Sequence, residues 1–184
     1  MAMSALLEPP EAPSRDVEEP LYEVVRGIQV ELPPMGMEAS DSASELSARM
    51  RVFASDQRLG RVIQEGLFVI DAAADTKRRP DVAFVSAERW PLDRRLPTGD
   101  WEMVPDLAIE VVSPNDTSYA VAKKVDEYFA AGVREVWVVM PPRRDATIYT
   151  LDRSPRIVTA GETLETPLLP GFQLPLATLF QAPA

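Results

Sequence analysis

Residues 104–142 read VPDLAIEVVSPNDTSYAVAKKVDEYFAAGVREVWVVMPP, a pattern of strand, turn, amphipathic helix and strand. Asp106 to Val112 is apolar at successive positions, as expected of a central strand covered on both faces. Pro114 and Asn115 or Asp116 supply a turn and an N-cap. The helix runs on to about Ala131 and closes at Gly132. Val133 to Met140 is the next strand. Within this stretch a carboxylate, Glu110, sits inside an apolar strand, and Lys124 lies at the edge of a helix's apolar face. Charges beside a core must be paired, solvated or bound to a metal.

Working outward, RRPDVAFVS at 78–86 gives a strand over Asp81 to Ser86. Arg61 to Asp71 is another, and Thr147 to Leu151 is an edge strand. Tyr22 to Leu32 is a strand pair bent at Gly27 and broken by Pro33, Pro34 and Gly36. Ala43, Leu46, Met50 and Phe53 recur at helical spacing, predicting a helix from Ser40 to about Ser55. Residues 87–103 form a loop. Leu169 to Phe172 and Leu176 to Phe180 make an apolar closing segment. Residues 1–19, rich in proline and acid, predict a disordered acidic tail, leaving 20–184 as a single domain. The expected fold is α/β, an α+β sandwich with a mixed β-sheet flanked by helices.

The chain has 184 residues, 46% of them hydrophobic, enough for one compact core. No apolar run is long enough to span a bilayer, and the first residues lack the pattern of a secretory signal. Cysteine and histidine are both absent. Disulfides, thiolate and imidazole metal sites, and His-based acid–base or Ser-His-Asp catalysis are therefore excluded. The cysteine count agrees with a cytoplasmic protein, and no membrane association is expected. Carboxylates are the remaining strong ligands, and these favour hard cations such as Mg²⁺ or Mn²⁺. A net charge of −10 argues against a nonspecific nucleic-acid coat protein, because phosphate binding rests on a basic footprint.

Strand geometry decides which carboxylates can share an ion. Asp106 and Glu110 point to one face, but four residues at ~3.3 Å each hold them about 13 Å apart. Asp81 and Glu110 lie on different strands, and neighbouring strands are only ~4.8 Å apart. They are the better metal pair, and Asp106 is the residue of a turn or strand edge. On the helix, Val121, Lys124 and Tyr128 share the sheet-facing boundary, with Glu110 as the anion within reach of Lys124. Lys123 is set to pair with Glu127 at i+4 in solvent. Two carboxylates and a lysine on such a core support in-line hydrolysis of a phosphodiester. A metal on Asp81 and Glu110 acts as Lewis acid and lowers the pKa of a bound water. Lys124 positions that water and offsets charge at phosphorus.

The segments RRPDVAF, PDLAIEVVSP and the run from Lys124 to Pro141, which reads K-V-x-E-Y-x-x-A-G-V-x-E-V-W-V-V-M-P, resemble the Uma-type family of restriction-endonuclease-like proteins. That family is a branch of the PD-(D/E)xK nuclease superfamily, and the resemblance runs from Tyr22 to Phe180. It implies a restriction-endonuclease-like core, with Asp81 as the first acid and Glu110 as the second. The superfamily's lysine position holds Val112 here, and the resemblance moves that role to Lys124 on the following helix. The family often has a histidine near the start of the first helix. This chain has Glu38-Ala39-Ser40 there instead, and Glu38 and Glu65 are candidate additional acids.

Each of these residues also has a plainer role open to it. Asp81 after proline suits the start of a strand, and Lys124 can lay its stem over the core. Lys77, Arg78 and Arg79 suit either a phosphate-gripping run or a solvated loop. Arg143 and Arg144 suit a charged turn. Trp137 and Tyr128 sit at packing positions, and Trp90, in a polar loop, suits contact with substrate or a partner subunit. The leading expectation is a metal-dependent endonuclease acting on nucleic acid, DNA ahead of RNA. It would work as a homodimer, because cutting both strands needs two sites. The alternatives are an inactive nuclease-fold binding module and a hydrolase of small phosphodiesters, which an acidic surface repels less.

Overall fold

The computed structural model describes residues 20–152 and 154–180. The expected acidic tail over 1–19 lies outside the described residues. The chain opens with a hairpin of β1 (Tyr22–Val25) and β2 (Ile28–Glu31). Its turn residues, Arg26 and Gly27, are both left-handed, at φ 54° and 77°, a conformation whose twist matches that of paired antiparallel strands. Helix α1 (Met37–Asp56) follows, starting three residues before the expected position. Then come β3 (Gly60–Gln64), β4 (Phe68–Asp71), β5 (Thr76–Arg78) and β6 (Val82–Ser86). The decisive stretch folds as β7 (Leu107–Val111), α2 (Ser118–Ala131) and β8 (Glu135–Met140). It is followed by β9 (Asp145–Thr150) and β10 (Arg156–Thr159).

Six strands form the main sheet in the order β10-β9-β8-β7-β6-β3. β7 and β8 pair in parallel through α2, while the other neighbours pair antiparallel, so the sheet is mixed as expected. One face carries α1 and the closing segment: Leu46 and Met50 meet Phe84, Ile109 and Trp137, with Leu169, Phe172 and Leu176 sealing the layer. The other face carries α2, where Val125 and Tyr128 pack on Ala108, Val136 and Val138. A smaller sheet in the order β2-β1-β5-β4 stands beside α2. Among the described residues, no helix is long and apolar enough to cross a membrane.

Four sequence expectations need correction. The strand expected over 61–71 is two strands in two different sheets, split where Glu65 turns left-handed at φ 52° before Gly66. β9 is an interior strand, because β10 pairs outside it. The N-cap of α2 is Thr117, whose Oγ1 accepts from the Ala120 amide at 3.2 Å. Asp116 closes the preceding turn by accepting from the Ser113 amide at 2.7 Å. The run Lys77-Arg78-Arg79 is neither a loop nor a free basic patch. It enters β5, where Lys77 meets Asp100 at 2.6 Å and Arg78 is buried. The expected C-terminal stop of α2 does hold: Gly132 is left-handed at φ 97°, and its amide reaches the Phe129 carbonyl.

Candidate active site

β6 and β7 run antiparallel with Val82 opposite Ile109. One step along that register brings Asp81, just ahead of β6, level with Glu110. The Val111 amide donates to Oδ2 of Asp81 at 2.5 Å, which fixes this carboxyl at the lip of the sheet. Glu110 shares the α2 side of the sheet with Ala108, since side chains alternate along a strand. There it meets two groups from one face of α2. Tyr128 donates its hydroxyl hydrogen to Oε1 at 2.6 Å, and Lys124 Nζ donates to Oε2 at 2.9 Å. The reach expected between Lys124 and Glu110 is therefore present. Lys123 points outward, its side chain 45% exposed and 3.7 Å from Glu127, whereas that of Lys124 is 19% exposed.

A third carboxylate joins them from the small sheet. Glu23 of β1 lies 3.1 Å from Lys124 Nζ and 2.5 Å from Arg78, and its Oε1 accepts from the Arg79 amide at 3.1 Å. Arg78 reaches on to Glu127 of α2 at 2.5 Å. Glu23 is not among the residues expected from sequence, although the signal that marks Glu110 is also present in Tyr22-Glu23-Val24-Val25: an acid inside a short apolar strand. Tyr128 is expected from sequence at a packing position. The ring is fully buried in the core, but its hydroxyl belongs to the carboxylate cluster.

These contacts shape the electrostatics. Burial, followed by the charge of Glu110, pushes the Asp81 carboxyl up to about 8, against the opposing pull of the Val111 amide and Lys124. Glu110 is also raised, chiefly by burial and partly by Glu23, with Lys124 and the Tyr128 hydroxyl opposing. Burial works against the charge of Lys124, but Glu110 and Glu23 outweigh it and hold the ammonium above its ordinary value. Burial and the charge of Glu110 push the Tyr128 hydroxyl well up. Inside the cluster Glu23, Glu110 and Asp81 share Lys124 and Arg78, and below about pH 8 the proton held on Asp81 balances the count, a proton whose place a cation at the Asp81–Glu110 edge would take.

Asp81 lines a cavity of about 210 Å³ together with Leu21, Leu32, Met35, Glu65 and Arg79, while Glu110 is buried behind it. Among the described residues, Oδ1 of Asp81 takes part in no hydrogen bond, and no three acidic side chains gather as a full metal cage. Mg²⁺ is commonly held by one or two carboxylates, with water and substrate oxygens completing its shell. Two level carboxyl groups, an open oxygen on Asp81 and a proton there that a cation can displace fit that mode of binding. Glu65 borders the same cavity, while Glu38 is an exposed residue of the first turn of α1.

The remaining candidates lie elsewhere. Asp106 is buried at the opposite end of β7, where it accepts from the Ser86 amide at 2.8 Å and meets Arg89 at 3.2 Å and Arg134 at 3.5 Å. Trp90 is not displayed for contact: it packs edge-on against Trp101 at 5.2 Å, and Arg94 covers its ring at 3.6 Å. Arg143 lies in an exposed turn beside Asp145. Arg79 is held by backbone, its guanidinium donating to the carbonyls of Tyr22 and Glu65.

A mixed sheet with a helix on each face and paired acids at adjacent strand ends defines a fold of the restriction-endonuclease-like class. The chain belongs to the Uma2 family, described as "Putative restriction endonuclease", which it matches over residues 10–177. Its fold is similar to the crystal structure of "a putative nuclease belonging to DUF820" from Anabaena variabilis ATCC 29413. That match has a TM-score of 0.74 at 20% identity and covers 86% of this chain and 89% of the other. No curated protein matches the chain.

Proposed function

We propose that this protein is a divalent-metal-dependent endonuclease that hydrolyses nucleic-acid phosphodiester bonds. Asp81 and Glu110 would hold Mg²⁺ or Mn²⁺, and Lys124 would be the catalytic cation beside them. The observation that carries this reading is the level pairing of Asp81 with Glu110 on a buried cluster in which carboxyl groups outnumber cations. When bound, the metal supplies Lewis acidity at a phosphoryl oxygen and an acidified water. The side chains do the rest. Lys124 stays protonated because Glu110 and Glu23 hold its charge, so it serves as a hydrogen-bond donor and not as a base. Two of its three N–H groups face Glu110 and Glu23, and the third is left for a water or a phosphate oxygen. Tyr128, held neutral, fixes the angle of Glu110.

DNA is favoured over RNA by the family description alone. A homodimer would supply the second site that a double-strand cut needs. The compartment in keeping with a cysteine-free chain is the cytoplasm. The net charge of −10 favours a second reading, a hydrolase of small phosphodiesters.

The test is a Mn²⁺ titration of wild type and Glu110→Gln by calorimetry, with plasmid, single-strand and small aryl phosphodiester cleavage on the same samples. Binding and nucleic-acid cleavage that vanish together in the variant support the endonuclease. Cleavage of the aryl diester alone transfers the reading to a small substrate. Binding with no cleavage of any substrate leaves an inactive binding module, and absence of metal binding by wild type, even with oligonucleotide present, removes the metallonuclease.

A further inference from the structure

Two arginines at the sheets, one buried and one partly buried, are treated very differently by the fold. Arg78 is buried and has two carboxylate partners, Glu23 and Glu127. Arg61, on the edge strand β3, is partly buried and has none among the described residues. Its Nη2 donates to the carbonyls of Leu92 and Arg94 at 2.6 and 3.1 Å, and its Nε is buried without any partner. A desolvated guanidinium N–H left unpaired is costly, and a cation so placed calls for an anion. Arg61 opens into a cavity of about 340 Å³ that Arg51 and Ser55 of α1, Arg58 of the following turn, and Leu92 and Leu96 also line. No carboxylate lines it, and among the described residues neither Arg51 nor Arg58 takes part in an ion pair. Three arginines without a carboxylate partner among the described residues thus line one notch in a chain whose net charge is −10.

We propose that this notch is a phosphate-binding site, and that its occupant is a backbone phosphate of the nucleic-acid strand whose cleavage was proposed above. The guanidinium fork matches phosphate oxygens bidentately, and three such cations suit an anion of more than one charge. The notch also lies on the same strand edge as the candidate active site. β3 contributes Gly60 to Ile63 to this notch, and Glu65, just past its end, to the cavity at Asp81. Arg61 stands opposite Val85, four residues along β6 from Asp81, or about 13 Å at the usual strand rise. A strand lying along the exposed edge of β3 would have one phosphate at Asp81 and another, a short way on, among the arginines. The notch would then supply the local basic footprint that the overall charge denies. The choice of occupant rests on the endonuclease reading; the phosphate chemistry of the notch does not.

The test uses the full chain in EDTA, so that no cleavage enters the readout. Fluorescein-labelled single- and double-stranded oligonucleotides are titrated by anisotropy over a range of salt, and inorganic phosphate is titrated by calorimetry. Arg51→Gln/Arg58→Gln changes exposed side chains and spares the loop contacts of Arg61. Arg61→Gln is the second variant, checked for folding by circular dichroism. Arg49→Gln/Arg143→Gln removes the same charge elsewhere. We expect the Arg51/Arg58 pair to weaken oligonucleotide binding several-fold and to lower the salt slope by about 0.7–0.9 for each phosphate lost. It should also abolish inorganic phosphate binding, with the control pair unchanged on both counts. Loss of phosphate binding with unchanged oligonucleotide affinity would keep the phosphate site and overturn its nucleic-acid occupant. No effect on either ligand, or an equal effect from the control pair, would overturn the site. A protein that binds oligonucleotide through the notch yet cleaves nothing with Mn²⁺ would sink the endonuclease reading while leaving the notch standing.

Discussion

The carboxylate of Glu23 stands 3.1 Å from the ammonium of Lys124, although the two residues belong to different sheet and helix layers and are remote in sequence. Glu23 also pairs with Arg78, which reaches Glu127 on the next turn of α2. The small sheet therefore holds α2 at two points and sets where Lys124 can stand over Glu110.

Glu23→Gln tests that relationship. Removing one member of a buried ionic cluster leaves its partners uncompensated, an effect of about 3–5 kcal/mol when no substitute contact forms. Glutamine can still accept one hydrogen bond, so the expected loss in urea denaturation is about 2–4 kcal/mol. Below the unfolding transition, kcat should fall at least about tenfold with KM little changed, and Glu23→Asp should recover part of it. A variant that is destabilised but retains full kcat would reduce Glu23 to a structural anchor.

Lys124→Met removes the cation between two buried acids. Glu110 would then take up a proton more readily, since the charge that opposes the effect of its burial is gone. Stability should fall by about 3–5 kcal/mol at neutral pH, less at acidic pH, and cleavage should be lost. Lys124→Arg keeps the charge and most of the stability, but its planar fork cannot reproduce the geometry of a point ammonium. It should fold well and cleave poorly. An active methionine variant would exclude Lys124 from the chemistry.

Tyr128→Phe deletes one hydrogen bond and no charge. Oε1 of Glu110 loses its donor inside the core, at an expected cost of about 1–3 kcal/mol. Because the hydroxyl helps hold the Glu110 proton off, metal affinity at neutral pH should weaken several-fold in a Mn²⁺ titration. Unchanged affinity would mean that the hydroxyl serves packing and not the carboxylate.

The parts of the site legible in the sequence were those fixed by local geometry. Asp81 and Glu110 could be paired because two apolar runs joined by one loop become neighbouring strands, and period-two alternation then sets their faces. Lys124 could be separated from Lys123 because a helix turns 100° per residue, and one of two adjacent lysines must face the sheet. Glu23 was not legible because its partners arrive through β1–β5 pairing and the packing of that sheet on α2, contacts that no local period encodes. The split of 61–71 was hidden because Glu65, a residue without special conformational freedom, adopts the left-handed turn. Trp90 looked exposed from its polar neighbours, but Arg94 and Trp101, four and eleven residues further along the chain, enclose it.

The raised carboxyl of Asp81 makes the stability of the metal-free protein depend on pH in a direction opposite to that of most acids. Its value in the fold is about 8 against 3.8 when unperturbed, so between roughly pH 4 and pH 8 the folded state binds more protons than the unfolded state. Stability is therefore unpenalised below that window, falls as pH rises through it, and levels off above it. Each pH unit amounts to about 1.4 kcal/mol at most. Because Asp81 shares its titration with Glu110, a total loss of about 2–4 kcal/mol is expected. Thermal melts in EDTA should show Tm falling from pH 5 to pH 8.5 in wild type. Asp81→Asn should flatten the curve, since its side-chain oxygen can still accept from the Val111 amide. Excess Mg²⁺ should restore wild-type Tm most at pH 8.5, where Asp81 is mostly deprotonated, by about 2.7 kcal/mol at a hundredfold excess over Kd. It should restore little at pH 5. A wild-type profile that is flat without metal, or a Mg²⁺ effect equal at both pH values, would mean that Asp81 and Glu110 are not the coupled pair on which the proposed metal site depends.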